Sequence, residues 1–331
     1  MRVAILGATG AVGRTMLEVL EEREVGVREL VPLASARSAG TRLGWRGREW
    51  EVREPSAAAF RDCDVALFSA GASRSREWAP VAAAAGAVVI DNSSAWRMDP
   101  AVPLVVPEVN AAALARRGRG IVANPNCATI QLVLPLAALH RAAGLGRVLV
   151  TTFQSVSGAG QRGLAALEAE LAGRAAETPF TGRIAGNVIP CIGARGDDGW
   201  NEEEVKVREE TRKILDLPDL PVAATCVRVP VRTGHSISAT VELARPLDRA
   251  AVLAALATLD GLVVHDDAAD PLPADVAGTD AVHVGRVRID PDDRRVVHLW
   301  IVADNLRKGA ATNAVQIAEQ LVGRPAGAAR P

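Results

Sequence analysis

The sequence predicts an α/β protein made of two parts, a doubly wound parallel sheet at the N-terminus followed by an α+β part with a mostly antiparallel sheet. In the first part, short apolar strands alternate with helical stretches, as in Asp64 to Ser69, Trp78 to Ala85 and Ala87 to Ile90. From residue 148 onward, strand-like runs follow one another with few helices between them. These runs are Val148 to Val156, Ala223 to Val231, Ser236 to Leu243 and a hairpin from Val282 to Val302 that turns at residues 290–293.

The change of character near the middle of the chain sets the predicted domain boundaries. Residues 1–126 form the first domain and residues 127–304 the second. An amphipathic helix from Asn305 to Leu321 is expected to pack back on the first domain, so residues 305–331 belong with it. Residues 324–331 are expected to fray as a terminal tail.

Composition and charge exclude several classes of protein. The 331 residues are 49% apolar, which is enough for a sizeable core. A formal net charge of −1 does not indicate a basic surface for nucleic-acid binding. Glycine interrupts the first apolar run at Gly7, so neither a signal peptide nor a membrane span is predicted. The four cysteines, at positions 63, 127, 191 and 226, show no metal-ligand spacing such as C-x-x-C. We therefore expect no metal site, and a reducing cytoplasm fits best.

A glycine-rich turn follows the first strand, Met1 to Leu6, and precedes a helical stretch, Arg14 to Glu24. Such a turn lets the backbone approach a pyrophosphate and points a helix N-terminus at it. The pattern G-x-x-G-x-x-G departs from the usual dinucleotide fingerprint at Ala8, and a tight turn without a ligand is the alternative. Its position directly after a strand favours a Rossmann-type dinucleotide site. The predicted cofactor contacts are Gly7, Thr9, Gly10, Ala11, Val12 and Gly13.

The end of the second strand, Leu30 to Leu33, indicates which dinucleotide binds. No acidic residue stands where a carboxylate would hold the ribose 2′-hydroxyl of NAD. Ser35, Arg37 and Ser38 lie there instead and suit a 2′-phosphate. NADP is therefore favoured, the alternative being that Arg37 is one more solvated arginine.

A cysteine stands where a strand is predicted to give way to a helix. Gly120 to Ala123 reads as a strand, Pro125 breaks it, and Cys127 to Ala143 has the apolar density of a buried helix. Unpaired N–H groups in a first helical turn and the helix macrodipole favour a thiolate and can bind an oxyanion. The amide of Asn126 lies beside the same spot. Taken alone, Cys127 is equally compatible with a small buried hydrophobic residue.

Two later segments carry further chemistry. Residues 154–160 end a strand in a glycine turn, where the backbone of Ser157 and Gly158 could lie against a nicotinamide ring and Gln154 could face the thiol. Residues 228–235 place Arg228 and His235 on either side of a strand and turn. Because imidazole titrates near neutral pH, His235 is the best candidate for an acid/base beside a thiol nucleophile. The other histidines lie in segments without comparable polar company: His140, His265, His283 and His298.

Five segments in the same order resemble the aspartate-β-semialdehyde dehydrogenase family, over residues 1 to about 321. They are Gly7 to Gly13, Asn124 to Thr129, Gln154 to Gly160, Arg228 to His235 and Asp304 to Gly309. The resemblance implies NADPH-dependent reductive dephosphorylation of L-aspartyl 4-phosphate to L-aspartate 4-semialdehyde. This is the branch step towards lysine, through diaminopimelate, and towards methionine, threonine and isoleucine. It also implies a homodimer or homotetramer.

The resemblance further assigns roles to individual residues. Cys127 would form the thioacyl intermediate and His235 would be the acid/base, with Gln154 and Asn126 orienting substrate or oxyanion. Substrate contacts would be Arg228 to the α-carboxylate, Glu203 to the amino group, and Arg97 and Lys206 to the phosphate, while Asn305 would join the cofactor contacts. Glu203 and Lys206 also stand three apart on a predicted helix and so share a face.

Two alternatives remain at the level of sequence. N-acetyl-γ-glutamyl-phosphate reductase does the same chemistry on a similar scaffold, but its active-site segment typically has glycine and an aromatic residue around the cysteine, unlike Asn126-Cys127-Ala128. A catalytically silent NADP-binding paralogue would not need Cys127, Gln154, Arg228 and His235 together. Relatives often carry a hydroxyl at position 128, but an oxyanion hole requires only the backbone N–H there.

Overall fold

The chain divides into two compact units in the computed structural model, which describes residues 1–265 and 269–322. Among the described residues, the first unit is residues 1–125 together with residues 311–322, and the second is residues 126–310. The tail predicted at residues 324–331 lies outside the described residues. Within the described part, no helix is both long enough and apolar enough to cross a membrane.

The helices and strands are numbered in chain order. The strands are β1 (Arg2–Leu6), β2 (Glu29–Leu33), β3 (Arg42–Trp45), β4 (Arg48–Glu51), β5 (Val65–Phe68), β6 (Val88–Asp91), β7 (Ile121–Ala123), β8 (Leu145–Gln154), β9 (Val222–Arg228), β10 (His235–Leu243), β11 (Leu262–Val264), β12 (Val282–Ile289) and β13 (Val296–Ala303). The α-helices are α1 (Ala11–Glu22), α2 (Ala72–Ala84), α3 (Pro107–Asn110), α4 (Cys127–Ala143), α5 (Gly160–Leu171), α6 (Glu202–Leu215), α7 (Arg249–Ala257), α8 (Pro273–Val276) and α9 (Thr312–Val322).

The first unit contains the predicted doubly wound parallel sheet, with strand order β2-β1-β5-β6-β7. Strand β1 pairs in parallel with both β2 and β5, with Ala4 opposite Val31 and Ala66. Every residue of β5 is buried, as expected for a parallel strand that is covered on both faces. Helix α9 packs on α1 in this unit, and a partly buried ion pair joins Arg23 to Glu319.

The second unit is built on a mixed six-stranded sheet of order β11-β12-β13-β10-β8-β9. Its three central pairings are antiparallel and its two outer pairings are parallel, which confirms the prediction of a mostly antiparallel sheet. Strand register aligns the ends of the functional segments: Gln154 lies opposite Arg228, and His235 opposite Ala303. Three predicted site residues therefore emerge at one end of a single sheet. Helix α4 packs on this sheet and is buried along most of its length.

Several element boundaries differ from the sequence predictions. Helix α2 begins at Ala72 rather than Trp78, because its first turn is polar and mostly exposed and so lacks apolar periodicity. Strand β9 ends at Arg228 rather than Val231, just before Pro230, which cannot donate to a ladder. The final helix begins at Thr312 rather than Asn305, since Arg307–Ala311 forms a wider π-type turn.

Gly13 is required by close packing inside the glycine turn. A Cβ at this position would overlap the carbonyl oxygen of Gly7. We expect Gly13→Ala to lower the free energy of unfolding by about 1–3 kcal/mol, because extra volume in a packed site forces the backbone to shift. Gly26→Ala is the matched control, since nothing lies within 4 Å of a Cβ there. Urea unfolding of both variants measures the difference, and equal stability of the two would contradict the steric argument.

Candidate active site

Asn126 caps the helix that begins with the cysteine. Its backbone is extended, and its Oδ1 accepts hydrogen bonds from the N–H groups of Ala128 (2.9 Å) and Thr129 (3.3 Å). Cys127 is therefore the first residue of α4, as the sequence predicts. The expectation that the Ala128 N–H is free to bind an oxyanion is wrong, because the cap already occupies it.

His235 faces the thiol of Cys127. Its Nε2 lies 3.3 Å from Sγ, and its Nδ1 accepts a hydrogen bond of 3.1 Å from the backbone N–H of Ser155. The imidazole is fully buried, whereas Cys127 keeps some exposure. Burial, and then the positive charge of Arg228, lower the pKa of His235 to about 3. The pKa of His235 thus lies below the near-neutral range expected from the sequence, and its role as acid/base stays a prediction.

The carboxylate of Glu203 joins three other predicted site residues. Glu203 Oε1 accepts hydrogen bonds from Asn126 Nδ2 (2.8 Å) and Gln154 Nε2 (3.0 Å), and its Oε2 lies 3.4 Å from Lys206 Nζ. Burial favours protonation of Glu203, but Lys206, the two amides and Arg228 together outweigh it, so the pKa of this carboxyl is lowered. Glu203 thus holds a buried negative charge. The prediction that Glu203 and Lys206 share a helix face is confirmed.

Arg228 places a buried positive charge at the end of β9. Its Nη1 donates to the carbonyl oxygen of Ser155 (2.7 Å), and its guanidinium lies 5.8 Å from the ring centre of Phe180. Burial lowers the pKa of Arg228, while Glu203 opposes this shift. A Cβ at Gly158 would lie 2.9 Å from Nη1 of Arg228. The absence of a side chain at position 158 therefore leaves room for this arginine.

Asn305 connects the turn at residues 154–160 to the turn before His235. Its Oδ1 accepts from the backbone N–H of Gly234 (2.9 Å) and from the hydroxyls of Ser155 (2.9 Å) and Ser157 (3.1 Å). Its Nδ2 donates to Ser157 Oγ (2.9 Å). These two predicted cofactor residues therefore hold each other in place, and their contact with a dinucleotide stays a prediction.

The glycine turn of the first unit has the geometry of a phosphate-binding turn. Gly7 has a φ of +92°, and a Cβ there would lie 2.9 Å from the backbone of Ser69. Gly10 precedes α1, no side chain caps this helix, and its first residues are Ala11 and Val12. The uncapped N-terminus and the close backbone approach fit the pyrophosphate of a dinucleotide.

A cavity of ≈ 640 Å³ opens beside this turn. Its basic and polar lining includes Thr9, Arg14, Arg37, Ser38 and Arg42. Glu18 and Glu21 of α1 also line it. Ser35 lies at the start of the adjoining turn, where its carbonyl accepts the N–H of Ser38 (2.8 Å). The donors suit an adenosine with an anionic group on its ribose.

Arg97 is buried in the first unit and held by main-chain oxygens. Its Nε donates to the carbonyl of Asn124 (3.0 Å) and its Nη2 to that of Asn92 (2.9 Å). Nearby Asp91 is fully buried, and burial raises the pKa of its carboxyl against the opposing bond from Ser93 (2.7 Å). The orientation of Arg97 is therefore fixed by neutral acceptors. Its role toward phosphate stays a prediction.

Three histidines have more polar company than the sequence predicts. His298 lies between Asp290 Oδ2 (3.1 Å) and Thr240 Oγ1 (3.0 Å), and His265 lies 2.9 Å from His283 between ring nitrogens. The prediction was wrong because strand pairing brings together residues that are distant in sequence. No cluster of three or more metal-binding side chains forms within the part of the chain that the structure describes.

Both units match known protein families. Residues 2–117 match the model "Semialdehyde dehydrogenase, NAD binding domain", and residues 136–308 match "Semialdehyde dehydrogenase, dimerisation domain". The aspartate-semialdehyde dehydrogenase of Aquifex aeolicus is 48% identical over 97% of this chain and 98% of its own. Aspartate-semialdehyde dehydrogenase 2 of Vibrio cholerae is 50% identical over 97% of each. The chain belongs to the aspartate-semialdehyde dehydrogenase family.

Solved structures of this family share the fold. The crystal structure of aspartate semialdehyde dehydrogenase II from Vibrio cholerae has a TM-score of 0.93 and 48% identity, covering 98% of this chain and 99% of its own. The same enzyme complexed with ASA gives the same values. The Candida albicans enzyme with NADP has a TM-score of 0.74 and 25% identity, covering 97% and 98%. The resemblance seen in the five sequence segments is thereby confirmed.

Some residues that contact this site were not predicted from the sequence. Glu210 Oε2 accepts the backbone N–H of Asn126 (2.6 Å), and Glu204 Oε1 accepts that of Cys226 (3.1 Å). Both carboxylates are buried on α6. Glu210 stands seven residues after Glu203, two helical turns along the same face, and this spacing was a usable signal. The contact of Ser155 with His235 had no such signal.

Proposed function

We propose that this protein catalyses the NADPH-dependent reductive dephosphorylation of L-aspartyl 4-phosphate to L-aspartate 4-semialdehyde. The observation that carries the proposal is the thiol of Cys127 at a helix start, 3.3 Å from His235 Nε2, in the same unit as a buried anion and a buried cation. Glu203 and Arg228 supply opposite charges for the ammonium and carboxylate of one small zwitterion. Among the relatives, the Vibrio cholerae enzyme complexed with ASA supports this substrate class.

The chemistry begins at the sulfur of Cys127. The thiolate attacks the acyl carbon, a C–S bond forms, and phosphate leaves with the electron pair of the broken C–O bond and takes a proton from water. NADPH, when bound, supplies the hydride that reduces the resulting thioester. Loss of the C–S bond then returns the thiolate and releases the aldehyde. Arg97 and Lys206 are the proposed phosphate ligands, since two cations favour both recognition and departure of phosphate.

Donors for the developing oxyanion come from side chains in this proposal. Asn126 Nδ2 and Gln154 Nε2 each give one hydrogen to Glu203, which leaves the second hydrogen of each amide for an oxygen on the substrate. His235, the proposed acid–base partner, adds Nε2 on the other side of the sulfur. The capped N–H of Ala128 takes no part.

The remaining assignments concern the whole protein. Residues 1–126 and 305–331 form the dinucleotide-binding domain and residues 127–304 the catalytic and dimerisation domain. We propose a homodimer or homotetramer, and the matched dimerisation domain supports self-association of the chain. For the location, the cysteine usage of the sequence favours a reducing cytoplasm. For the cofactor, the basic cavity and the relative solved with NADP support NADP over NAD.

The reaction can be tested in reverse. Purified protein with aspartate semialdehyde, phosphate and NADP should produce NADPH, followed by its absorbance, and should not do so when phosphate is omitted. N-acetylglutamate semialdehyde in place of aspartate semialdehyde tests the alternative reductase. The proposal fails if only the N-acetylated substrate is oxidised, or if neither is.

Arg37 is expected to set the cofactor preference. We expect wild-type protein to prefer NADPH, and Arg37→Ala to lower the NADPH-to-NADH ratio of kcat/KM by about 10- to 100-fold, because a hydrogen bond between charged groups contributes about 1.5–3 kcal/mol. Arg48→Ala, an exposed arginine of β4 outside the cavity lining, is the matched control. Steady-state kinetics with both cofactors give the ratios. Equal ratios in wild type and Arg37→Ala would remove Arg37 from this role.

A further inference from the structure

The side-chain amide of Gln154 is held at both ends. Its Nε2 donates to Glu203 Oε1 (3.0 Å), and its Oε1 accepts a hydrogen bond from the hydroxyl of Thr152 (3.0 Å). Gln154 is 1% exposed and Thr152 is 0% exposed, so bulk water does not replace either partner. An amide that is anchored at its oxygen and at its nitrogen has one orientation, and that orientation determines where its second N–H points.

The charge of Glu203 determines which end of the amide faces which partner. Burial works against ionisation of this carboxyl, but Lys206 and the amides outweigh it and lower its pKa, so that it is an acceptor only. Gln154 must therefore present its NH₂ group to Glu203 and its carbonyl oxygen to Thr152. Because a carbonyl oxygen can only accept, the hydroxyl hydrogen of Thr152 is used by Gln154.

The sheet places the hydroxyl of Thr152 next to the amide that it holds. Thr152 and Gln154 stand two apart on β8, so their side chains lie on the same face. Cys226 of β9 lies opposite Thr152, and its thiol hydrogen-bonds to the Thr152 side chain. Burial raises the pKa of this thiol to about 12, so it keeps its hydrogen at neutral pH and donates to Thr152. The thiol therefore does not compete for the hydroxyl hydrogen that Gln154 accepts.

The amide of Asn126 is anchored in a comparable way. Its Nδ2 donates to the same Glu203 Oε1 (2.8 Å), and its Oδ1 accepts two backbone N–H groups of α4. These backbone partners are present whatever side chains follow Asn126. The oxygen of Gln154 is held instead by the side chain of Thr152, so the orientation of this second amide depends on the residue at position 152.

We propose that Thr152 is a positioning residue whose hydroxyl fixes the amide of Gln154, so that the second N–H of this amide is aimed at the oxygen of the substrate. The inference deepens the proposed function and rests on it for the role of Gln154. Without the hydroxyl, the amide keeps one anchor and rotates about its terminal torsion, which is broad for glutamine. A donor that has to be reoriented during the reaction stabilises an oxyanion less than a preorganised one.

Thr152→Val isolates the hydroxyl, because valine has nearly the same shape but cannot donate. We expect kcat with aspartate semialdehyde to fall about three- to tenfold, the effect of one neutral hydrogen bond, with KM changed by less than about twofold. Thr152→Ser keeps the hydroxyl and should retain kcat within about twofold of the wild type. An unchanged kcat in Thr152→Val, or an equal loss in Thr152→Ser, would overturn the proposal.

Thr211→Val is the matched control for this substitution. Thr211 is also fully buried in the second unit, but its hydroxyl has no hydrogen-bond partner among the described residues. The same exchange of a hydroxyl for a methyl group should therefore leave kcat within about twofold of the wild type. A loss as large as that in Thr152→Val would show that the exchange itself slows the enzyme at any buried threonine, and the proposal would fail.

A double-mutant cycle tests whether Thr152 acts through Gln154. Gln154→Ala removes the amide, so the hydroxyl of Thr152 has no amide left to position. In this background, Thr152→Val should lower kcat by less than about twofold, whereas two independent effects would multiply. A further loss of about three- to tenfold in the double variant would mean that Thr152 contributes independently of Gln154, and it would overturn the proposal.

The rigidity of the amide gives a readout that does not depend on activity. In protein labelled with ¹⁵N-glutamine, the heteronuclear ¹H–¹⁵N NOE reports fast motion of the Gln154 side chain, and Gln154→Ala assigns its signal. We expect a high value in the wild type and in Thr152→Ser, and a lower value in Thr152→Val. An equal value in Thr152→Val would overturn the positioning role even if the reaction is as proposed. Wild-type protein without turnover would refute the proposed function, while the NOE would still decide for or against the positioning role.

Discussion

Cys127→Ser is expected to lower kcat by about three to six orders of magnitude, the range seen when an enzymatic nucleophile is removed. A serine hydroxyl is far harder to ionise at neutral pH than a thiol. Cofactor affinity should be unchanged, because the substitution replaces only one sulfur atom by oxygen and the proposed pyrophosphate-binding turn at residues 7–13 belongs to a different unit. Steady-state kinetics and cofactor titration measure the two effects.

Cys191→Ser is the control for this substitution. Cys191 is also a partly exposed cysteine, and its Sγ donates a hydrogen bond to the carbonyl of Gly193. Its kcat should equal that of the wild type. If Cys127→Ser kept wild-type turnover, the thioacyl mechanism would be abandoned, whatever the control showed.

Arg228→Lys is expected to lower kcat/KM by about a hundredfold or more, mainly through KM. Lysine keeps the charge but loses the planar fork, so it cannot bind a substrate carboxylate in the bidentate manner while also donating to the carbonyl of Ser155. A substrate held in a displaced position also reacts more slowly, so kcat should fall by a smaller factor than KM rises.

Arg232→Lys provides the matched control four residues further along. Arg232 is exposed and pairs on the surface with Glu168, where lysine can replace it. Kinetics of the two variants with aspartate semialdehyde should therefore diverge. An unchanged KM for Arg228→Lys would remove Arg228 from the substrate site and leave its bond to Ser155 as its only described function.

Local sequence patterns predicted the helix that carries the nucleophile and the glycine-rich turn at residues 7–13. Helix α4 begins at Cys127 and ends at Ala143, as predicted, because Pro125 breaks the strand before it and a continuous apolar run follows. The N-cap at Asn126 could also have been predicted from the sequence, since asparagine is among the preferred N-cap residues. The assumption that the N–H groups of the first helical turn have no partner was wrong, because those of Ala128 and Thr129 donate to Asn126.

Contacts between distant segments were beyond the reach of sequence patterns. The bond from Ser155 to His235 spans 80 positions, and that from Asn126 to Glu210 spans 84. Neither follows from periodicity, because both depend on how strands pair and where α6 lies against α4. The low pKa of His235 has the same origin, since only the folded chain determines burial and the position of Arg228.

The ends of three neighbouring strands carry Gln154, Arg228 and His235, and this arrangement limits where residues can be inserted into or deleted from the chain. In a strand, successive side chains point to opposite faces, so one inserted residue in β8, β9 or β10 would turn the functional side chain at the end of that strand away from the thiol. The turn at residues 290–295, which joins β12 and β13, carries no such constraint. Variation in length between related chains should therefore collect in turns of this kind, while the three strands keep their residue count.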